Sequence, residues 1–92
     1  MKVLAFKMIT GEEVLARVNG TQEDSKGKIA HYVIESPMTL MVGQGGLGLM
    51  PWALANPEGE FELPVSAILL AYPAQSEIEK QFLSRTSKIA LA

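Results

Sequence analysis

Apolar and polar positions alternate with a period of two through much of the first 72 residues, and this alternation marks out strands. Leu4, Phe6 and Met8 interleave with Ala5, Lys7 and Ile9, giving a strand with one strongly apolar face. Val14, Ala16 and Val18 interleave with Leu15 and Arg17 in a second strand. Thr10-Gly11 lies between the two arms and reads as a hairpin turn, because glycine enters positive-φ conformations without steric cost. Glu12-Glu13 keeps the tip of that turn in water. Asn19-Gly20 ends the second strand, and residues 21–28, polar throughout, form an exposed and mobile connector.

Strand character returns at residues 29–35 through Tyr32, Val33 and Ile34, and continues after Ser36-Pro37 at residues 38–42. Pro37 lacks an amide proton and would delete a ladder hydrogen bond from a central strand, so it marks a bend or bulge at an edge or a strongly curved point. Gly43-Gln44-Gly45-Gly46 is a turn, residues 47–55 form another apolar segment, and Asn56-Pro57-Glu58-Gly59 has the residue order of a type I turn. Residues 61–65 and 68–72 complete the β region. Beyond Pro73, Ser76 and Glu79 have capping-box spacing and open a helix to about Thr86, with Ile78, Phe82 and Leu83 as its apolar stripe. So short a helix is unstable alone and is expected to pack on an open end of the β structure, with fraying beyond Ser84.

At 92 residues and 48% hydrophobic content, the sequence fits one domain over residues 1–92, with a barrel at about 3–72 and a helix at about 76–86. At this size burial only narrowly outweighs conformational entropy. There is no cysteine, so neither a disulfide nor a thiolate metal site adds stability, and the core or a partner must supply it. Lys7 interrupts the N-terminal apolar run before it reaches signal-peptide length, which makes the cytoplasm the expected location. Residues 36–57 carry no charge, but three prolines and four glycines break the stretch, so it reads as a pair of buried strands rather than a membrane span.

The net charge is −2, unevenly spread: residues 29–79 hold no lysine or arginine. A phosphate-binding face therefore requires Lys26 and Lys28 to act together with Lys80, Arg85 and Lys88; the plainer reading is scattered solvated charge. Of the aromatic residues Phe6, Tyr32, Trp52, Phe61, Tyr72 and Phe82, only Phe6 adjoins a basic residue, whereas single-strand stacking platforms combine both. Gly43-x-Gly-x-x-Gly48 matches a dinucleotide fingerprint in spacing, but Leu47-Gly48-Leu49-Met50-Pro51 opens no helix, and a glycine turn between strands is the better reading. His31 is the single histidine, with Glu35 and Ser36 as its nearest candidate partners; a same-face His31/Glu35 pair on one strand is more often structural than catalytic. Glu58, Glu60 and Glu62 read as a solvated strand face rather than a metal site. No enzyme activity, cofactor or metal is expected.

The hairpin at residues 6–18, the polar connector and the following strands resemble the Sm-like fold, with Gly11 at the family's first motif glycine and Val14 at the apolar position after it. Small bacteriophage Sm-like proteins are more similar still, through Thr10-Gly11-Glu12-Glu13-Val14, Ser36-Pro37-Met38, Pro51-Trp52 and a helix after the last strand. The resemblance spans most of residues 3–86. It implies a mostly β protein, a small five-stranded, strongly bent SH3-like barrel with a short C-terminal helix. It also implies edge-to-edge assembly into a homo-oligomeric ring and RNA binding in RNA metabolism, in a host cytoplasm if the chain is phage-encoded. The family's nucleotide-holding Asp-x-x-Met-Asn is replaced by Glu35-Ser36-Pro37-Met38, and no Ile-Arg-Gly motif stands near Ser66-Ala67-Ile68.

Lys26, Lys28, Lys80, Arg85 and Lys88 are the candidate RNA contacts. Edge strands need covering, and the uncharged segments around residues 38–42 and 47–53 make Leu40, Met41, Met50 and Trp52 candidates for a subunit interface. The same four residues also suit a monomer core. The alternative function is an oligomeric structural or protein-interaction module without nucleic-acid activity.

Overall fold

The computed structural model describes residues 2–86. Strands β1 (Lys2–Met8) and β2 (Glu13–Glu23) form the expected hairpin, with Phe6 opposite Val14 and Leu4 opposite Ala16. Gly11 has φ 106°, and the Gly11 amide donates to the Met8 carbonyl at 2.9 Å, so the turn uses the conformation that favours glycine. Strand β2 does not stop at Asn19-Gly20. It runs on to Glu23, with a register shift between Val18 and Gly20 absorbing the glycine. The expected connector over residues 21–28 therefore shrinks to a turn over residues 24–28, closed by the Asp24 amide on the Lys28 carbonyl at 2.7 Å.

Strand β3 (Ile29–Gly43) passes through Ser36-Pro37, where its pairing with β2 shifts register. Ser36 adopts φ 55°, and both Ser36 and Pro37 are buried. The bend also divides the partners on β3's other edge: residues 31–35 pair with β5 (Glu60–Pro64), and residues 38–43 with β4 (Gly46–Pro51). Backbone groups released at the bend are taken up locally. The Ser36 amide donates to the Gly59 carbonyl, and the Pro37 carbonyl accepts from the Trp52 amide, both at 3.0 Å. Gly43 and Gly46 pair across the β3–β4 turn, and the Gly59 amide closes the Asn56 turn at 3.1 Å.

A single 3-10 turn (Val65–Ala67) leads into β6 (Ile68–Tyr72), which returns antiparallel to β1. The sheet is antiparallel, in the order β4-β3-β2-β1-β6, with β5 beside β3. The described residues thus form a mostly β fold of six strands rather than the expected five. The hydrogen-bonded path is open, ending at β4 and β6. Helix α1 (Ser76–Thr86) follows. Its first backbone bond joins the Glu79 amide to the Gln75 carbonyl at 2.9 Å, which puts Gln75 rather than Ser76 at the capping position.

Two core clusters use opposite faces of the β1–β2 hairpin, as strand alternation requires. Phe6, Met8, Val14, Ala16, Ile34 and Leu63 form one cluster, with Tyr32 edge-on to Phe6 at 5.1 Å between ring centroids. Val3, Ala5, Leu15, Met38 and Leu49 form the other, which α1 covers by inserting Phe82. Ile78 packs there too, and the Arg17 guanidinium lies 5.3 Å from the Phe82 ring centroid. Leu83 is exposed, so the apolar stripe of the helix narrows to Ile78 and Phe82. No described helix is long and apolar enough to cross a membrane.

Candidate functional site

Two of the strands at the ends of the sheet, β4 and β6, are chemically alike, whereas β5, which shares the outer edge of β3 with β4, carries Glu60 and Glu62. Strand β4 pairs on one side with β3, and β6 on one side with β1, so each has its other backbone edge outside the sheet's pairing. Neither strand contains a charged residue. Leu69 and Leu70 on β6 are 62% and 61% exposed, and Ile9 and Val65 nearby are exposed as well. Around β4, Met41, Val42, Leu47 and Met50 are exposed, Val42 at 83%. The uncharged stretch over residues 36–57, expected as a pair of buried strands, is therefore buried only in part: Ser36, Pro37, Met38 and Leu49 are buried, whereas Met41, Val42, Leu47 and Met50 are exposed.

Of the four residues singled out for a subunit interface, Met41 and Met50 stand in this exposed region. Leu40 is half-buried against the helix-side cluster, and Trp52 packs against the Phe6 cluster on the other face. The six-strand arrangement separates them because alternation along β3 sends Leu40 and Met41 to opposite faces. Leu69 and Leu70 stand in a continuous apolar run that reads as a buried strand; only the pairing shows β6 at the end of the sheet.

The candidate RNA contacts fall on separate elements. Lys26 and Lys28 are exposed on the β2–β3 turn, where their backbone amides donate to Asp24 Oδ1 at 2.8 and 3.0 Å. Lys80 and Arg85 line one shallow surface groove on α1 with Glu77, Gln81 and Ser84, and Lys80 Nζ lies 3.9 Å from Glu77 Oε1. Lys88 lies outside the described residues. The surface across β2, β3 and β5 is acidic and tied together by amides: Asn19 Nδ2 donates to Glu35 and Glu60, and Gln22 Nε2 to Glu62. Among the described residues no group of three acidic, histidine or cysteine side chains has the placement to hold a metal ion.

His31 and Glu35 share a strand face but lie four residues apart, about 13 Å along an extended strand, and Glu35 is engaged by Asn19. The Gly43-x-Gly-x-x-Gly48 stretch is the β3–β4 turn and the start of β4, as its context in the sequence indicates.

A polar network absent from the sequence reading gathers at the hairpin turn. Tyr72 Oη donates to Glu13 Oε1 at 2.5 Å, and Lys7 Nζ lies 3.9 Å from Glu13 Oε2 while donating to the Gly11 carbonyl at 2.9 Å. Glu12 accepts from the Thr10 hydroxyl on one oxygen and from the Trp52 indole on the other, the latter at 3.4 Å. The Thr10 bond and then its own backbone amide hold the Glu12 carboxyl below the usual range, with desolvation opposing and the weaker indole bond adding to the lowering. The Glu13 bond, reinforced by burial and by the Glu13 charge, pushes the Tyr72 phenol up to about 12. Both glutamates are half-buried and engaged, not simply wetting the tip. Strand parity offered one signal, since Glu13 shares a face with the buried Leu15.

Beside Glu13 and Tyr72, a cavity of about 300 Å³ opens between the sheet and the start of α1. Ala5, Leu15, Leu40 and Ile78 supply its apolar walls, and residues 73–75 close one side. Its lining comes from β1, β2, β3, β6 and α1, so no local stretch of sequence announces it.

Compared with known proteins, the chain matches no protein-family model and no curated protein.

Proposed function

We propose that this protein is a self-assembling, Sm-like module whose bent sheet behaves as a small barrel and whose copies join edge to edge, β4 of one against β6 of the next. One observation carries the reading: two of the strands at the ends of the sheet, β4 and β6, are short and uncharged, and each is flanked by exposed apolar side chains. An exposed, apolar edge without lysine invites pairing with another chain, and on β4 only Pro51, at its last position, interrupts it. Because the two edges are different strands, their contact is head to tail, and repeated rotation closes it into a ring. The resemblance of the 6–18 hairpin to Sm-like proteins, and of the whole pattern to phage members, favours closure over open filaments. The reading is non-enzymatic and places the protein in the cytoplasm, that of an infected host if the phage likeness holds.

Charge substitution on one edge tests this reading. Leu69→Lys with Leu70→Lys on β6, or Met50→Lys on β4, is expected to reduce the assembled mass without loss of the far-UV β signal. Unchanged assembly in both sets contradicts the β4–β6 joint.

RNA binding by the assembled ring is the second reading. Lys80 and Arg85 sharing one groove on α1, with Lys26 and Lys28 exposed on the β2–β3 turn, favours it. Repetition around a ring multiplies weak phosphate contacts through avidity. Gel-shift titration with oligo-U, oligo-A and mixed-sequence RNA at low salt is expected to show binding that weakens with salt and with Lys26→Ala plus Lys28→Ala. No shift with any of the three leaves the module without nucleic-acid activity.

A further inference from the structure

The cavity beside Tyr72 combines features that the assembly does not use. Its volume, about 300 Å³, stands at the lower bound of small-molecule sites, which run from roughly 300 to 1,000 Å³. Its walls are mostly apolar, with a carboxylate at one side. The Tyr72 phenol fixes that carboxylate by donating to Glu13 Oε1 at 2.5 Å. Lys7, the cation closest in register, stands 3.9 Å from Oε2 and donates instead to the Gly11 carbonyl at 2.9 Å. An ammonium hydrogen bond to a carboxylate closes to about 2.7–2.9 Å, so the Lys7 contact leaves acceptor capacity on Oε2. Tyr72 cannot neutralise the site, since its phenol, pushed up to about 12, remains a neutral donor at physiological pH.

We infer that this cavity is a binding site for a small organic cation, a primary amine or guanidine on a compact apolar body, with the cationic head on Glu13 and the body between Leu15, Leu40 and Ile78. The apolar walls supply burial, and the oriented carboxylate selects the charge. An anionic ligand meets like charge at Glu13, and a neutral one gains burial alone. Lys7 does not line the cavity, and its bond to the Gly11 carbonyl keeps it on the hairpin turn.

Three probes with one cyclohexyl body separate charge from shape: cyclohexylmethylamine, cyclohexylmethanol and cyclohexanecarboxylate. Titrated into 15N-labelled full-length protein at pH 7, the amine is expected to give saturable shifts at the Leu15, Ala74 and Ile78 amides, with at least tenfold tighter binding than the alcohol or the carboxylate. Glu13→Gln keeps an acceptor for Tyr72 and is expected to bring the amine to the level of the alcohol. Leu40→Trp, which fills the cavity from β3, is expected to abolish binding of both. Equal affinity for the three probes, amine shifts spread over Glu35, Glu60 and Glu62, or an undiminished amine preference in Glu13→Gln would each overturn the inference. Should Leu40→Trp fail to fold, the Glu13→Gln comparison decides it alone.

Discussion

Tyr72 on β6 donates a 2.5 Å hydrogen bond to Glu13, the first residue of β2, and so pins the last strand to the hairpin turn from across β1. The bond requires a neutral phenol, and this sets a pH window. Tyr72 is raised in the fold from the ordinary value of 10.0 to about 12, so its contribution to stability is complete below about pH 10 and is lost as pH rises through about 12. Ultraviolet titration of tyrosinate should lose its component near pH 12 in Tyr72→Phe. Loss of a component near pH 10 instead would contradict the bond.

Glu12 gives the opposite sign. Its carboxyl is held below the ordinary 4.5 by the Thr10 hydroxyl first, with its own amide and the Trp52 indole adding to the effect. The stabilisation is present above pH 4.5 and is lost as pH falls through the lower folded value. Trp52 is the single tryptophan, so its fluorescence reports the indole bond directly. Acid titration should move its emission with a midpoint below 4.5, and Glu12→Gln should remove that transition.

Phe82 is the only buried residue of α1 and closes the helix-side cluster. Phe82→Ala should cost about 3–5 kcal/mol in urea unfolding. Leu83→Ala, one position along and exposed, should stay within about 0.5 kcal/mol. Similar losses for the two would mean that the helix docks through a different face.

The bend in β3 depends on Ser36 at φ 55° and on Gly59 beneath it. Ser36→Gly should be tolerated to within about 1 kcal/mol, whereas the β-branched Ser36→Val should lose about 1–3 kcal/mol. At Gly59 an added Cβ would stand 2.4 Å from Asn56 Nδ2 and 2.9 Å from Phe61 Cζ. Gly59→Ala should therefore also cost about 1–3 kcal/mol by overpacking, measured as a fall in the urea midpoint.

These positions show how far the sequence could be read. The 6–18 hairpin was legible because its turn glycine and two alternating apolar faces are local signals; its register, with Phe6 opposite Val14, is set by a loop over residues 9–11, one residue longer than Thr10-Gly11. Pro37 was legible as a bend for the same reason. The continuation of β2 through Thr21 and Gln22 was not, because this extension is held by backbone pairing to Tyr32 and His31 with its own side chains exposed, which erases the alternation. The order of the strands was hidden too. The apolar run at residues 68–72 has the composition of a buried strand, and only its place at the end of the path exposes Leu69 and Leu70. The Glu13–Tyr72 cavity joins residues from 5 to 78, and no periodicity spans that separation.

Edge-to-edge assembly is the central claim, and the mass of the purified chain tests it most directly. Light scattering at micromolar concentration should give one species at a whole-number multiple of the 10.0 kDa chain mass, reduced when Leu69 and Leu70 are both changed to lysine. A monodisperse 10.0 kDa monomer for the unmodified protein would contradict the account.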